Sequence, residues 1–150
     1  DIADKFLPMA AKALAEKDVT IHACNKSVGY FDGADEISVD DFGQEYLALE
    51  IAIRTVDDFD GALEHIKRFG SGHTEVIVTE NDQTVKRFIR EVDSAVTMAN
   101  ASSRFSDGGQ LGLGAEIGIS TSKLHAYGPM GLQALTTEKF VVTGNGQIRD

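Results

Sequence analysis

The chain has 150 residues, 42% of them hydrophobic and 25% charged, which suits one globular domain and excludes a collagen-like, disordered or coiled-coil protein. Fourteen Lys and Arg stand against 24 Asp and Glu, a net charge of -10 that repels phosphate backbones, so no nucleic acid and no membrane surface is expected as a partner. No apolar run approaches the roughly 20 residues of a membrane helix, and one Cys builds neither an internal disulfide nor a thiolate zinc site, which points to a reducing, cytoplasmic setting.

The first residue is Asp1, with no basic and apolar leader after it, so the chain is expected to begin inside a longer protein. Ile2, Phe6, Met9, Ala10, Ala13 and Leu14 recur at helical spacing over 1–17, with Asp1 and Asp4 at the favourable end and Pro8 as a kink or late start. Residues 19–24 alternate as a short strand. The acidic, Gly-containing stretch 25–43 predicts a loop. Over 46–56 a strand is expected, with Leu47, Leu49, Ile51 and Ile53 on one face.

Asp57 and Asp58 then cap a helix carrying Phe59, Ala62, Leu63, Ile66 and Phe69. Lys67 and Arg68 close it and Gly70 stops it. Val76, Ile77 and Val78 form a β-branched strand. Asn81 caps a helix over 82–92 with Val85, Phe88, Ile89 and Val92 on one face, and 95–99 is a third strand. A polar, Gly-rich segment runs to Gly114. Pro129 opens a short helix through Leu135, Phe140 to Val142 form a last strand, and Gly144, Asn145 and Gly146 a turn. Alternating strands and helices predict an α/β fold, a mostly parallel sheet flanked by helices, in a single domain over 1–150.

The glycines at 108, 109, 112 and 114 do not meet a dinucleotide fingerprint. From Gly112 the third glycine belongs at position 117, which holds Ile117, and Gly118 comes one residue late. Turn geometry and close backbone approach are the expected uses. Asn100, Ser102, Ser103 and Arg104 follow the third strand at its carboxyl end, where open α/β sheets place their sites. The guanidinium fork of Arg104 suits a carboxylate or phosphate, or else a salt bridge to one of the chain's many acids.

His22, His65, His73 and His125 show no metal-ligand spacing, and no metal site is expected. Cys24, two residues from His22, reads as a half-buried inert thiol rather than a nucleophile. The acids around Glu45 and Glu50 read as solvated loop charge.

Several strings together resemble one family, γ-glutamyl phosphate reductase. They are Val56-Asp57-Asp58-Phe59-Asp60-Gly61-Ala62-Leu63-Glu64-His65, Gly70-Ser71-Gly72-His73-Thr74-Glu75-Val76-Ile77, Glu91-Val92-Asp93-Ser94-Ala95, Asn100-Ala101-Ser102-Ser103-Arg104-Phe105-Ser106-Asp107-Gly108-Gly109, Gly112-Leu113-Gly114-Ala115-Glu116-Ile117-Gly118, and His125-Ala126 with Gly128-Pro129-Met130-Gly131. The resemblance implies the aldehyde dehydrogenase superfamily and its C-terminal catalytic domain, here incomplete and without the nucleotide-binding domain. It implies NADPH-dependent reduction of glutamyl 5-phosphate to glutamate 5-semialdehyde in proline biosynthesis, by way of a cysteine thioester.

On that resemblance Glu45 holds the nicotinamide ribose hydroxyls, while Asn100, Ser102, Ser103, Arg104 and His125 meet the substrate. Arg104 suits its carboxylate and an acid such as Asp107 its ammonium. The family's nucleophilic Cys, in a Cys-Asn motif before the first helix, is expected upstream of this chain, and Cys24-Asn25 falls after that helix. Tyr127 stands where the family carries Arg. A homo-oligomer is expected, and the alternative is a non-catalytic, self-associating α/β fragment.

Overall fold

A computed structural model describes residues 2–115 and 117–149, so Asp1 and Glu116 lie outside the described residues. The protein is a mixed α/β structure with parallel strand pairs and helices, divided into a first compact unit that ends at Gly70 and a second that begins at Ser71.

In the first unit, helix α1 (Ala3–Ala15) continues through Pro8, which donates no hydrogen bond to the carbonyl of Asp4. Its core-facing stripe is Ala3, Leu7, Ala11 and Leu14, packed on Ala23 and Phe31. Of the expected apolar face Leu14 meets this core, whereas Ile2, Phe6 and Met9 are exposed and Leu7 takes the central place. The helix carries two apolar stripes, and periodicity alone does not say which one meets the core.

Strand β1 (Thr20–Ala23) is the centre of a parallel three-stranded sheet, flanked by β2 (Asp35–Glu36) and β3 (Glu50–Ile53). The stretch expected to be a loop therefore contributes a strand, joined to β1 through backbone pairing that two acidic side chains do not announce. Strand β3 is shorter than expected. Leu47 adopts φ 51° and is 88% exposed, so the alternating run breaks before the sheet begins. His22, at the sheet's centre, ties both flanks: its Nε2 lies 2.8 Å from Glu50 Oε2 and its Nδ1 3.8 Å from Asp35 Oδ2. Tyr46 stacks on the ring at 4.7 Å.

Helix α2 (Phe59–Phe69) is capped by Asp58, whose side chain accepts from the Gly61 N–H, and it ends on Lys67 and Arg68. Asp57 instead pairs with Lys26 at 2.6 Å.

The second unit opens with β4 (Thr74–Ile77), helix α3 (Asp82–Glu91) and β5 (Val96–Ala99), a βαβ unit in which Thr74 pairs with Val96 and Ile77 with Ala99. The Asn81 side chain accepts from the Gln83 and Thr84 N–H groups, as its position before the helix predicts. Phe88 and Val92 are buried, whereas Ile89 is half exposed.

Two expectations fail further on. Pro129 lies in β7 (Gly128–Met130), antiparallel to β6 (Ile117–Ile119) and opposite Gly118, and not in a helix. Gly128, at φ 78°, cannot lead into a helix, and Pro holds its predecessor out of the helical region. Only a 3-10 turn follows, at Leu132–Leu135. Phe140, Val141 and Val142 form no strand and stand exposed, Phe140 at 99%. Among the described residues they have no pairing partner, and β-branched sequence without a neighbouring edge makes no ladder.

Candidate functional site

The chain leaves β5 through Asn100, whose φ of 54° turns it sharply. The Asn100 side chain accepts from the Thr79 N–H and donates to the Thr79 carbonyl, both at 2.9 Å. It thereby ties the loop after β4 to the loop after β5, a structural use of a residue expected to touch substrate. Ser102 begins the 3-10 turn Ser103–Ser106 and its hydroxyl accepts from the Arg104 N–H; the Ser106 hydroxyl donates to the Ser103 carbonyl at 2.8 Å. The turn packs against β4.

This arrangement presents Ser103, Arg104, Ser106, Asp107 and Gly108 to a cleft of about 340 Å³, closed on its other sides by His73, Ile117, Gly118 and Pro129. Among the described residues, the Arg104 guanidinium makes no ion pair. One oxygen of Asp107 accepts from the Gly109 and Gln110 N–H groups, at 2.6 and 3.2 Å. Those bonds fold the Gly-rich turn back beside Arg104. Gly112 and Gly114, at φ 76° and 72°, serve the turn itself, in keeping with the absence of a nucleotide fingerprint.

The remaining expected site residues lie elsewhere. Ser102 lines a neighbouring cleft with Arg104 and Phe105. His125 is exposed; its Nδ1 lies 2.7 Å from the Ala126 carbonyl and its Nε2 3.4 Å from the Ser122 hydroxyl, and it is not among the residues lining the Arg104 cleft. Glu45 is an exposed carboxylate of the first unit, between a 3-10 turn (Val39–Gly43) and β3. Tyr127 donates its hydroxyl to the Gly72 carbonyl at 2.5 Å, and Lys123 lies 5.2 Å from the centre of its ring.

The first unit has a cleft of its own, about 310 Å³, lined by Cys24, Lys26, Arg54, Thr55, His65 and Arg68 among others. Cys24 is 7% exposed, its Sγ 3.2 Å from the Ser27 hydroxyl and accepting from the Thr55 N–H at 3.4 Å. Burial pushes the thiol up, and the bonds from the Ser27 hydroxyl and the Thr55, Lys26 and Ser27 backbone outweigh it, so the thiol lies below its ordinary value. Arg54 meets His65 Nδ1 at 3.0 Å, and burial, then the Arg54 charge, hold His65 below its ordinary value as a neutral acceptor. Arg68 pairs with Asp40 and Lys26 with Asp57, so these cations are answered locally.

No protein-family model matches the chain. Along all 150 residues it is 85% identical to the γ-glutamyl phosphate reductase of Idiomarina loihiensis, covering 36% of that protein. It is 63% identical over 149 residues to the γ-glutamyl phosphate reductase of Shewanella denitrificans, 99% of this chain and 36% of that one. The crystal structure of γ-glutamyl phosphate reductase from Thermotoga maritima matches 99% of the chain and 36% of its own length, with a TM-score of 0.84 and 47% identity. The chain thus spans about a third of the length of the curated relatives it matches.

Proposed function

This chain corresponds along its whole length to a stretch of the γ-glutamyl phosphate reductases, and from that we propose that it supplies substrate recognition in an enzyme of proline biosynthesis. That enzyme reduces L-glutamyl 5-phosphate to L-glutamate 5-semialdehyde and releases phosphate. The observation that carries the reading is the Arg104 cleft: a guanidinium, two serines and a carboxylate around one open space. Glutamyl phosphate is an amino acid with an anion at each end, and a bidentate fork beside neutral donors matches either oxyanion, while an acid answers an ammonium.

NADPH is the proposed reductant, and when bound it supplies a hydride. Glu45, an exposed carboxylate able to accept from two hydroxyls, suits a ribose. The role of this chain's own residues is to grip and orient the substrate, so that a reaction between two molecules proceeds within one complex.

Cys24 is not the proposed nucleophile. Its sulfur is buried and held by Ser27 and Thr55 within the first unit. Association with a second copy, in the cytoplasm, completes the proposal, supported by exposed Leu47, Phe140 and Val142. Among the described residues no helix is long and apolar enough to cross a membrane.

A direct test is a coupled assay on the full-length reductase that contains this stretch. One NADPH should be consumed for each phosphate released when glutamyl 5-phosphate is supplied, and the 150 residues alone should give no turnover. Steady NADPH oxidation by the 150-residue chain would overturn the division of labour.

A further inference from the structure

We propose that His73 positions the substrate in the Arg104 cleft, through the Nε2 edge of its ring and an oxyanion of glutamyl phosphate. The inference rests on the reading of that cleft given above. His73 lines the same space as Ser103 and Arg104, but it comes from the turn before β4 and not from the loop after β5.

Three separate constraints hold it there. The peptide before it is pinned on two sides, because the Gly72 carbonyl accepts from both the Tyr127 hydroxyl and the Ala95 N–H, at 2.5 and 2.9 Å. The ring itself is oriented by the Thr74 hydroxyl, 2.7 Å from Nδ1, while Nε2, packed beside Gly118 in the wall of the cleft, has no hydrogen-bond partner among the described residues. The room for that edge is made by a glycine: a Cβ on Gly118 would lie 2.5 Å from His73 Nε2.

A ring fixed from behind by a neutral hydroxyl, beside a cationic fork, is an arrangement that adds a directed donor to an oxyanion site. A histidine serving only to fill space needs no hydroxyl to set its tautomer and ring angle, as Thr74 does here. Both the phosphate and the carboxylate of the substrate are oxyanions, and kinetics tell them apart.

The experiment runs the full-length reductase backwards, from glutamate 5-semialdehyde, inorganic phosphate and NADP+, and compares His73→Gln with His73→Asn. A Gln amide reaches the place of Nε2 and an Asn amide the place of Nδ1. His73→Asn should raise the KM for phosphate or for semialdehyde about tenfold with kcat changed far less, the loss expected for one hydrogen bond to a charged group. His73→Gln should recover most of it. Gly118→Ala, which leaves the imidazole chemistry intact but displaces its edge, should raise the same KM.

A rise confined to phosphate identifies that oxyanion, and a rise confined to semialdehyde identifies the carboxylate. If both KM values stay at wild type in His73→Asn and Gly118→Ala while Arg104→Ala raises one of them, the inference about His73 is wrong and the cleft stands. If Arg104→Ala also leaves both unchanged, the cleft itself has been misread and the inference falls with it.

Discussion

Replacing Arg104 with Ala in the full-length reductase should lower kcat/KM for glutamyl 5-phosphate by about a hundredfold, because losing one partner of a charged, hydrogen-bonded pair costs roughly 3 kcal/mol. The expectation follows from geometry. Among the described residues the guanidinium has no ion-pair partner of its own, while the turn beneath it is tied internally by Ser102, Ser106 and Asp107. Removing the side chain should therefore leave the turn in place and take away only what it offers to a ligand. Lys at the same position keeps the charge but not the fork, and should recover a part of the loss. A kcat/KM within twofold of wild type for Arg104→Ala would show that the substrate's anionic ends are held elsewhere.

Gly131→Ala should damage the second unit severely for the addition of a single methyl group. Gly131 is buried, and a Cβ there would lie 2.0 Å from the Leu113 carbonyl oxygen and 3.1 Å from the Leu113 Cβ. The obstacle is backbone, which cannot rotate aside as a side-chain tip does. That backbone belongs to the Gly-rich turn, where Leu113 N–H donates to the Gly108 carbonyl and Leu111 N–H to the Asp107 carbonyl. Forcing it outward strains the wall that carries Asp107 and Gly108 into the Arg104 cleft. An overpacking cost of about 3 kcal/mol is expected. It should appear as a melting temperature lower by several degrees, together with a raised KM. An unchanged melting temperature would mean that the turn gives way freely and that its contact with Gly131 carries no weight.

Much of this was legible because it is written locally. Asp58 and Asn81 cap their helices with their own side chains, and Lys67 and Arg68 mark an end, so both helices declare themselves within one turn. The strands β4 and β5 are β-branched runs on either side of such a helix, and the loop after β5 drew attention to Arg104 and Ser103.

What escaped depends on neighbours that a single stretch does not name. Strand β2 exists because β1 offers it an edge, and β7 holds Gly128 and Pro129, of which Pro129 reads as the first turn of a helix until β6 is seen to pair with it. Leu7 rather than Phe6 faces the core because of where Ala23 and Phe31 lie. Asn100 is a ligand-type residue by sequence, yet its amide is matched donor for acceptor to the Thr79 peptide. His73 carries no metal-ligand spacing to single it out; its neighbour Gly118 is 45 residues away in the chain, and a close approach leaves no mark in composition.

Whether the Arg104 cleft holds the substrate while the reacting sulfur is some thiol other than Cys24 can be read by alkylating the full-length reductase with iodoacetamide, with and without glutamate 5-semialdehyde, and mapping the modified cysteine by mass spectrometry as activity falls. The label lost on substrate protection should sit on a cysteine outside these 150 residues, with Cys24 unmodified when activity is gone. Labelling of Cys24 in step with inactivation, and its protection by substrate, would contradict it.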